Sequence, residues 1–188
     1  MILDCGANAE CTPEFLLQFG LVGSAYAKNV LGIENPRIGL LNIGTEASKG
    51  TALQKEAYGM LKSAGDQGLI HFVGNVEARD VPLGAVDVVV CDGFAGNVLL
   101  KSIEGTAMFM GSLMSKMFHR SLISMLAAAL VMKDIKGIKK PGITAHGSSD
   151  ALAFRNAVKQ AQDAAQRDFA GELEAVLAQF KAKENENP

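Results

Sequence analysis

Val86-Asp87-Val88-Val89-Val90-Cys91-Asp92-Gly93-Phe94-Ala95-Gly96-Asn97 is the stretch on which the fold turns. A short run dominated by β-branched residues reads as a strand buried on both faces of a parallel sheet. A glycine-rich turn at the carboxyl end of such a strand is where open α/β sheets receive ligands. Gly93 and Gly96 allow close backbone approach, and Asn97 is expected to open the next helix, whose free N–H groups favour an anion. Asp92 and Asn97 add side chains able to orient a polar reactant. The stretch predicts part of an enzyme that handles phosphate.

Outward from it, strands and helices alternate. Ile2–Cys5 reads as a strand and Pro13–Leu31 as a helix, with Thr12 as N-cap, Pro13 at the first helical position and Gly32 ending it. Asn35-Pro36 turns the chain into a strand at Arg37–Ile43. A helix follows at Thr51–Ala64, closed by Gly65, and then strands at Leu69–Val73 and Val86–Cys91. Helices are expected from Asn97 to about Phe118 and over Ser121–Met132. A brief strand at Ile143–Ala145 precedes one long or two shorter helices over Ser149–Phe180. This alternation predicts a parallel sheet covered on both faces. One α/β domain over residues 1–180 and a polar tail at 181–188 account for the chain.

Composition narrows the classes. Of the 188 residues, 48% are hydrophobic and 20% charged, which is globular rather than disordered. A net charge of −2 argues against a broad nucleic-acid surface. Cys5, Cys11 and Cys91 form an odd set without a CxxC pair, and no secretory signal precedes them, so a reduced cytoplasmic setting is expected. His71, His119 and His146 are scattered, so neither a metal site nor a Ser-His-Asp order is expected, and no cofactor is called for. Cys5 and Cys91 read as small buried hydrophobes at neighbouring strand ends.

Four loops repeat the opening pattern at strand ends: Asp4-Cys5-Gly6-Ala7-Asn8; Asn42-Ile43-Gly44-Thr45-Glu46 with Lys49-Gly50; Gly74-Asn75-Val76-Glu77-Ala78-Arg79-Asp80; and Asp92 to Asn97. In a continuous parallel sheet all four converge on one crevice. Lys49, between Ser48 and Gly50 and ahead of a helix, brings positive charge to a phosphate or is a solvated surface lysine. Arg79 is an anion contact or a partner for Glu77 or Asp80. Ser148 or Ser149, after His146, caps the last helix.

Six of the eight methionines lie between Met108 and Met132. Leu122–Met132 carries no charge, and Lys133, Lys136, Lys139 and Lys140 follow, opposed only by Asp134. An apolar helix flanked by lysines suits an anionic membrane surface, and equally a helical hairpin buried against a twin in a homodimer.

Leu3-Asp4-Cys5-Gly6-Ala7-Asn8, the run from Gly32 to Gly44, Gly74 to Asp80, Asp92 to Asn97 and Ala145-His146-Gly147-Ser148-Ser149-Asp150 occur in one order. Together they closely resemble the phosphate acyltransferases of bacterial phospholipid synthesis (the PlsX family), from Met1 to about Gln166. The resemblance implies a Rossmann-like three-layer αβα fold with a mostly parallel sheet, related to phosphotransacetylases and isocitrate dehydrogenases, with a protruding helical hairpin over 98–140. It implies acyl transfer from acyl-acyl carrier protein to inorganic phosphate, a homodimer, and peripheral contact with an anionic membrane through 108–140. Lys49 and Asn97 match the family's active-site lysine and asparagine. Asp4, Gly6, Asn8, Asn42, Gly44, Glu46, Asn75, Asp92, Gly93, Gly96 and His146 match its substrate- and phosphate-binding surroundings. Family members carry a glycine-rich amino-terminal portion ahead of the strand at Ile2, so the chain reads as the carboxyl-terminal part of such an enzyme. Lys140-Pro141-Gly142 stands where the family has a stretch containing Tyr-Gly-Gly. Two other readings stay open: a non-catalytic module that dimerises on membranes, and a short-chain phosphotransacetylase using coenzyme A thioesters.

Overall fold

Helix starts and stops follow from local chemistry. In the computed structural model, which describes residues 1–121 and 123–125 and single positions between 155 and 178, Thr12 caps the helix α1 (Pro13–Asn29), its hydroxyl accepting from the Phe15 N–H at 3.4 Å. Thr51 caps α2 (Ala52–Asp66), and the Gln54 side chain reaches back to accept from the Thr51 N–H at 3.1 Å. Gly65 does not close α2 as expected. It lies inside the helix against β3, where a Cβ would meet the Phe72 Cβ at 3.2 Å, and the left-handed turn falls on Gly68 (φ +73°).

The strands are β1 (Ile2–Leu3), β2 (Arg37–Asn42), β3 (His71–Glu77) and β4 (Val88–Val90). They form one parallel sheet in the order β1-β4-β2-β3. Val90 stands level with Leu3 on one side and Leu40 on the other. Every strand therefore ends on the same edge. Alternate residues Ile38, Leu40, Val88 and Val90 face a core made with Leu16, Leu17, Leu21 and Ala27 of α1 and Ala57, Leu61 and Ala64 of α2. The two helices touch closely, since a Cβ on Gly20 would sit 2.6 Å from Leu61 Cδ2.

The return from β3 to β4, through a 3₁₀ turn at Val81–Leu83, crosses the opposite face of β2. Gly39 is required there: a Cβ would meet Val86 Cγ1 at 2.8 Å and Val76 Cγ1 at 3.1 Å. With α1 and α2 on one face and this crossover running back on the other, the three connections share one hand, as parallel crossovers in one sheet usually do. At the amino edge the Arg37 guanidinium grips Asp87 with two 3.0 Å bonds and also donates to the Gly84 and Ala85 carbonyls. That guanidinium holds the Asp87 carboxyl below its ordinary range, against the opposing effect of burial. The result is the α/β layered class that the alternation predicts.

Several boundaries shift by one or two residues, β1 ending at Leu3 rather than Cys5 and β4 spanning Val88–Val90 rather than Val86–Cys91, and two shift by four. Strand β3 extends to Glu77 instead of ending at Val73, because Gly74 to Glu77 pair with Gly39 to Asn42 after a register shift, and ladder pairing overrides the turn chemistry of Gly-Asn. Helix α3 (Gly93–Phe118) starts four residues before Asn97, because the Asp92 carboxylate accepts from the Ala95 N–H at 2.8 Å and serves as N-cap. After α3 the chain turns at His119 and Arg120, and 123–125 are helical, as are the described positions between 155 and 178. The remainder of the expected hairpin over 98–140, the strand at Ile143–Ala145, His146 and the tail at 181–188 lie outside the described residues.

Candidate functional site

The loop after β1 is organised by one buried carboxylate. Asp4 accepts from the backbone N–H groups of Gly6 (2.8 Å), Ala7 (3.0 Å) and Asn8 (2.6 Å) and from the Asn8 side-chain amide (3.0 Å). Burial opposes its ionisation, but these four donors outweigh burial and hold the carboxyl below its ordinary range. Asp4 thus shapes the loop and leaves no free lone pair aimed at solvent. Asn8 is likewise committed, its carbonyl accepting from the Gly93 N–H at 2.8 Å.

That last bond docks the start of α3 onto the β1 loop, and two glycines permit the approach. A Cβ on Gly93 would lie 2.6 Å from the Asn8 carbonyl oxygen, and one on Gly96 would lie 1.8 Å from the Asp4 carbonyl oxygen. Both are buried, so neither offers a surface to a ligand; their part is to seat the helix. Cys91 lies beneath, donating to the same Asp4 carbonyl at 3.3 Å, and burial pushes its thiol well up, so it is no nucleophile. One turn along α3, Asn97 is exposed and lies beside Gly6, a glycine by its φ of +129°, where an added Cβ would stand in ordinary contact with Asn97 at 3.7 Å.

The loop between β2 and α2 is braced from two strands. The Asn42 side chain accepts from the Ile43 N–H at 2.8 Å and donates to the Lys49 carbonyl at 3.1 Å. Asn75, in β3 and only 9% exposed, donates to the Glu46 carbonyl at 2.8 Å. The Lys49 N–H closes the loop onto that same Glu46 carbonyl at 3.1 Å. Gly44 is buried under the Glu46 and Lys49 side chains, which a Cβ would meet at 2.9 and 3.1 Å. Lys49 is exposed and makes no ion pair among the described residues.

The expected loop residues therefore divide by task. Asp4, Gly6, Asn8, Asn42, Gly44, Asn75, Asp92, Gly93 and Gly96 build the carboxyl edge, while Glu46, Lys49 and Asn97 are exposed with their side-chain polar ends free among the described residues, and of these only Lys49 and Asn97 can donate to an anion. Lys49 follows β2 and Asn97 lies one turn into the helix that follows β4, and these two strands are neighbours, about 4.8 Å apart. Asn97 thus sits near the amino terminus of a 26-residue helix, a natural place for an anion. Arg79 resolves as a surface partner, bonded to Glu77 at 2.7 Å and near Asp80 at 3.7 Å. Two apolar side chains on this edge escaped the sequence reading: Ile43 (80% exposed) and Phe94 (69% exposed). Their position inside polar loops was the available signal.

Residues 1–172 match a family model described as fatty acid synthesis protein. A protein of Shouchella clausii named phosphate acyltransferase is 46% identical over 180 residues, covering 87% of this chain and 54% of its own length. One of Geobacillus thermodenitrificans with the same name is 46% identical over 194 residues, covering 94% and 58%. Another, from Thermoanaerobacterium thermosaccharolyticum, is 41% identical over 194 residues, covering 94% and 57%. The chain spans a little over half the length of these curated relatives.

Proposed function

The chain belongs to the fatty acid synthesis protein family, and from that membership we propose that its carboxyl-edge site serves acyl transfer from acyl-acyl carrier protein to inorganic phosphate, giving an acyl phosphate for phospholipid synthesis. A phosphate oxygen attacks the thioester carbonyl, a tetrahedral oxyanion forms, and the thiolate of the carrier departs. Phosphate is already a competent nucleophile, so no covalent enzyme intermediate is needed. The protein has to hold the anion beside the carbonyl and stabilise the charge that develops. Lys49 offsets charge on phosphate or oxyanion, and the Asn97 amide donates a hydrogen bond to one of them.

One observation carries this reading. Lys49, on the loop after β2, and Asn97, one turn into α3 after β4, present free polar ends, whereas the Asp4, Asn42 and Asn75 side chains bond to the loops. Lys49→Ala and Asn97→Ala are each expected to lower phosphate-dependent turnover on the order of 10²–10³-fold while leaving the fold intact. Near-normal turnover in either variant removes that residue from the mechanism.

The far part of α3 supports a second role, contact with an anionic membrane surface or with a twin chain. From Gly105 to Met117 every residue is exposed, including Met108, Phe109, Met110, Leu113, Met114 and Met117. No helix among the described residues is long and apolar enough to cross a membrane. The reading is therefore of a helix lying on a surface or against a partner. Phe109→Glu with Met114→Glu is expected to abolish sedimentation with vesicles containing anionic lipid. Unchanged sedimentation assigns this face to the homodimer.

A further inference from the structure

We propose that Asn42 and Asn75 are positioning residues for Lys49, acting together as a two-point brace that fixes the loop from which the lysine projects. The inference rests on the reading of Lys49 given above and extends it to residues that never touch substrate. A loop between a strand and a helix has no ladder of its own, so its shape depends on whichever side chains reach its carbonyls.

Here two asparagines supply that support from neighbouring strands. Asn42, the last residue of β2, spans seven residues to hold the Lys49 carbonyl itself. Its own amide oxygen is anchored by the Ile43 N–H, which fixes which way the donor points. Asn75 rises from β3, two positions before Glu77, and holds the Glu46 carbonyl, the same oxygen that the Lys49 N–H bonds. The lysine's main chain is thus tied at both its N–H and its C=O, one tie running to β2 directly and the other through Glu46 to β3.

Space around the brace is filled. A Cβ on Gly50 would fall 2.7 Å from Asn42 Oδ1, so the chain passes directly over the asparagine as it enters α2. Asn75 is nine-tenths buried, and its amide oxygen accepts no hydrogen bond among the described residues. Burying an unpaired amide oxygen is costly, so a residue serving packing alone would be apolar, like Val76 beside it. The amide is kept for its donor. A lysine has a long flexible stem, and tethering both sides of its peptide sets where that stem begins.

The test combines backbone hydrogen exchange with kinetics on Asn42→Ala, Asn75→Ala and the near-isosteric Asn75→Leu, each in the full 188-residue chain. Exchange is independent of turnover and decides whether the brace exists. The Lys49 amide, the one amide of 44–50 bonded among the described residues, is expected to exchange at least about tenfold faster in each variant, while core amides of β4 and α1 keep their protection. Unchanged exchange at Lys49 overturns the proposal. Should the alanine variant at Asn75 lose core protection as well, Asn75→Leu, which keeps the volume, removes the donor and adds no charge, decides in its place. On the kinetic side, each variant is expected to raise the KM for phosphate or lower kcat in the wild-type background, yet to have no further effect once Lys49→Ala is present. Additive losses in the Lys49→Ala background show that the asparagines act independently of the lysine and overturn the proposal. If Lys49→Ala alone leaves turnover unchanged, the functional reading of the lysine fails, and the exchange result still decides the brace.

Discussion

Alanine substitution of three helical glycines is expected to move stability in opposite directions, up at two and down at the third. In a helix interior alanine is favoured over glycine by about 1 kcal/mol. At Gly59 in α2 and Gly105 in α3 an added Cβ meets nothing within 4 Å among the described residues, so that preference should appear undiminished. At Gly96 the same Cβ would fall 1.8 Å from the Asp4 carbonyl oxygen and 2.8 Å from Cys91 Sγ. A carbon normally stays at least about 3.3 Å from such an oxygen, so α3 must retreat by roughly 1.5 Å. That retreat breaks the bond from the Gly93 N–H to the Asn8 carbonyl, now 2.8 Å long. Overpacking costs about 1–3 kcal/mol and the lost bond about 1 more, which outweighs the helix preference. The net expectation is a loss of about 1–3 kcal/mol, or roughly 2–12 °C in Tm for a chain of this size, against a gain of about 2–4 °C for Gly59→Ala and Gly105→Ala. Far-UV circular dichroism melts of the three variants and the parent measure it directly. Since an ångström of misplacement can cost about 10²-fold in rate, Gly96→Ala should also lose any turnover that depends on Asn97. A Gly96→Ala variant as stable as Gly59→Ala would refute the close docking of α3 on the β1 loop.

Acid should act through Asp4. Its folded pKa lies below the ordinary 3.8, so its contribution is fully present above that value and is lost as pH falls through the lower folded value. Asp4→Asn should therefore be less stable than the parent at neutral pH, with a gap that narrows as pH falls below about 4 in denaturant titrations. Thiol labelling followed by mass spectrometry should modify the half-buried Cys5 and Cys11 well before Cys91, whose buried thiol is pushed furthest up. Equal labelling of all three would contradict the packing of β4 beneath Asp4.

Much of this architecture was legible because the signals were local. Thr12 before Pro13 fixed the start of α1, and the valine run of β4 announced a strand buried on both faces. The errors have one source, the dual use of small polar residues. Gly74-Asn75 looks like a turn, yet pairing with Gly39 and Leu40 draws it into β3. Asp92 reads as a ligand group but is consumed as an N-cap, which moves Asn97 one turn into α3. Asp4 follows the same rule, since its carboxylate is the folding template for residues 6–8. A sequence shows which residues can bond to an anion. Whether the backbone has already claimed those bonds is decided by tertiary structure, and here it claims Asp4, Asn42 and Asn75 and leaves the Lys49 and Asn97 side chains free among the described residues.

The most direct test of the central claim is phosphate-dependent release of acyl carrier protein from a long-chain acyl-acyl carrier protein by the purified 188-residue chain, run beside Lys49→Ala. The account predicts release that saturates with phosphate and collapses in the variant. Release by the folded parent that is indifferent to phosphate, or equal in Lys49→Ala, would contradict it.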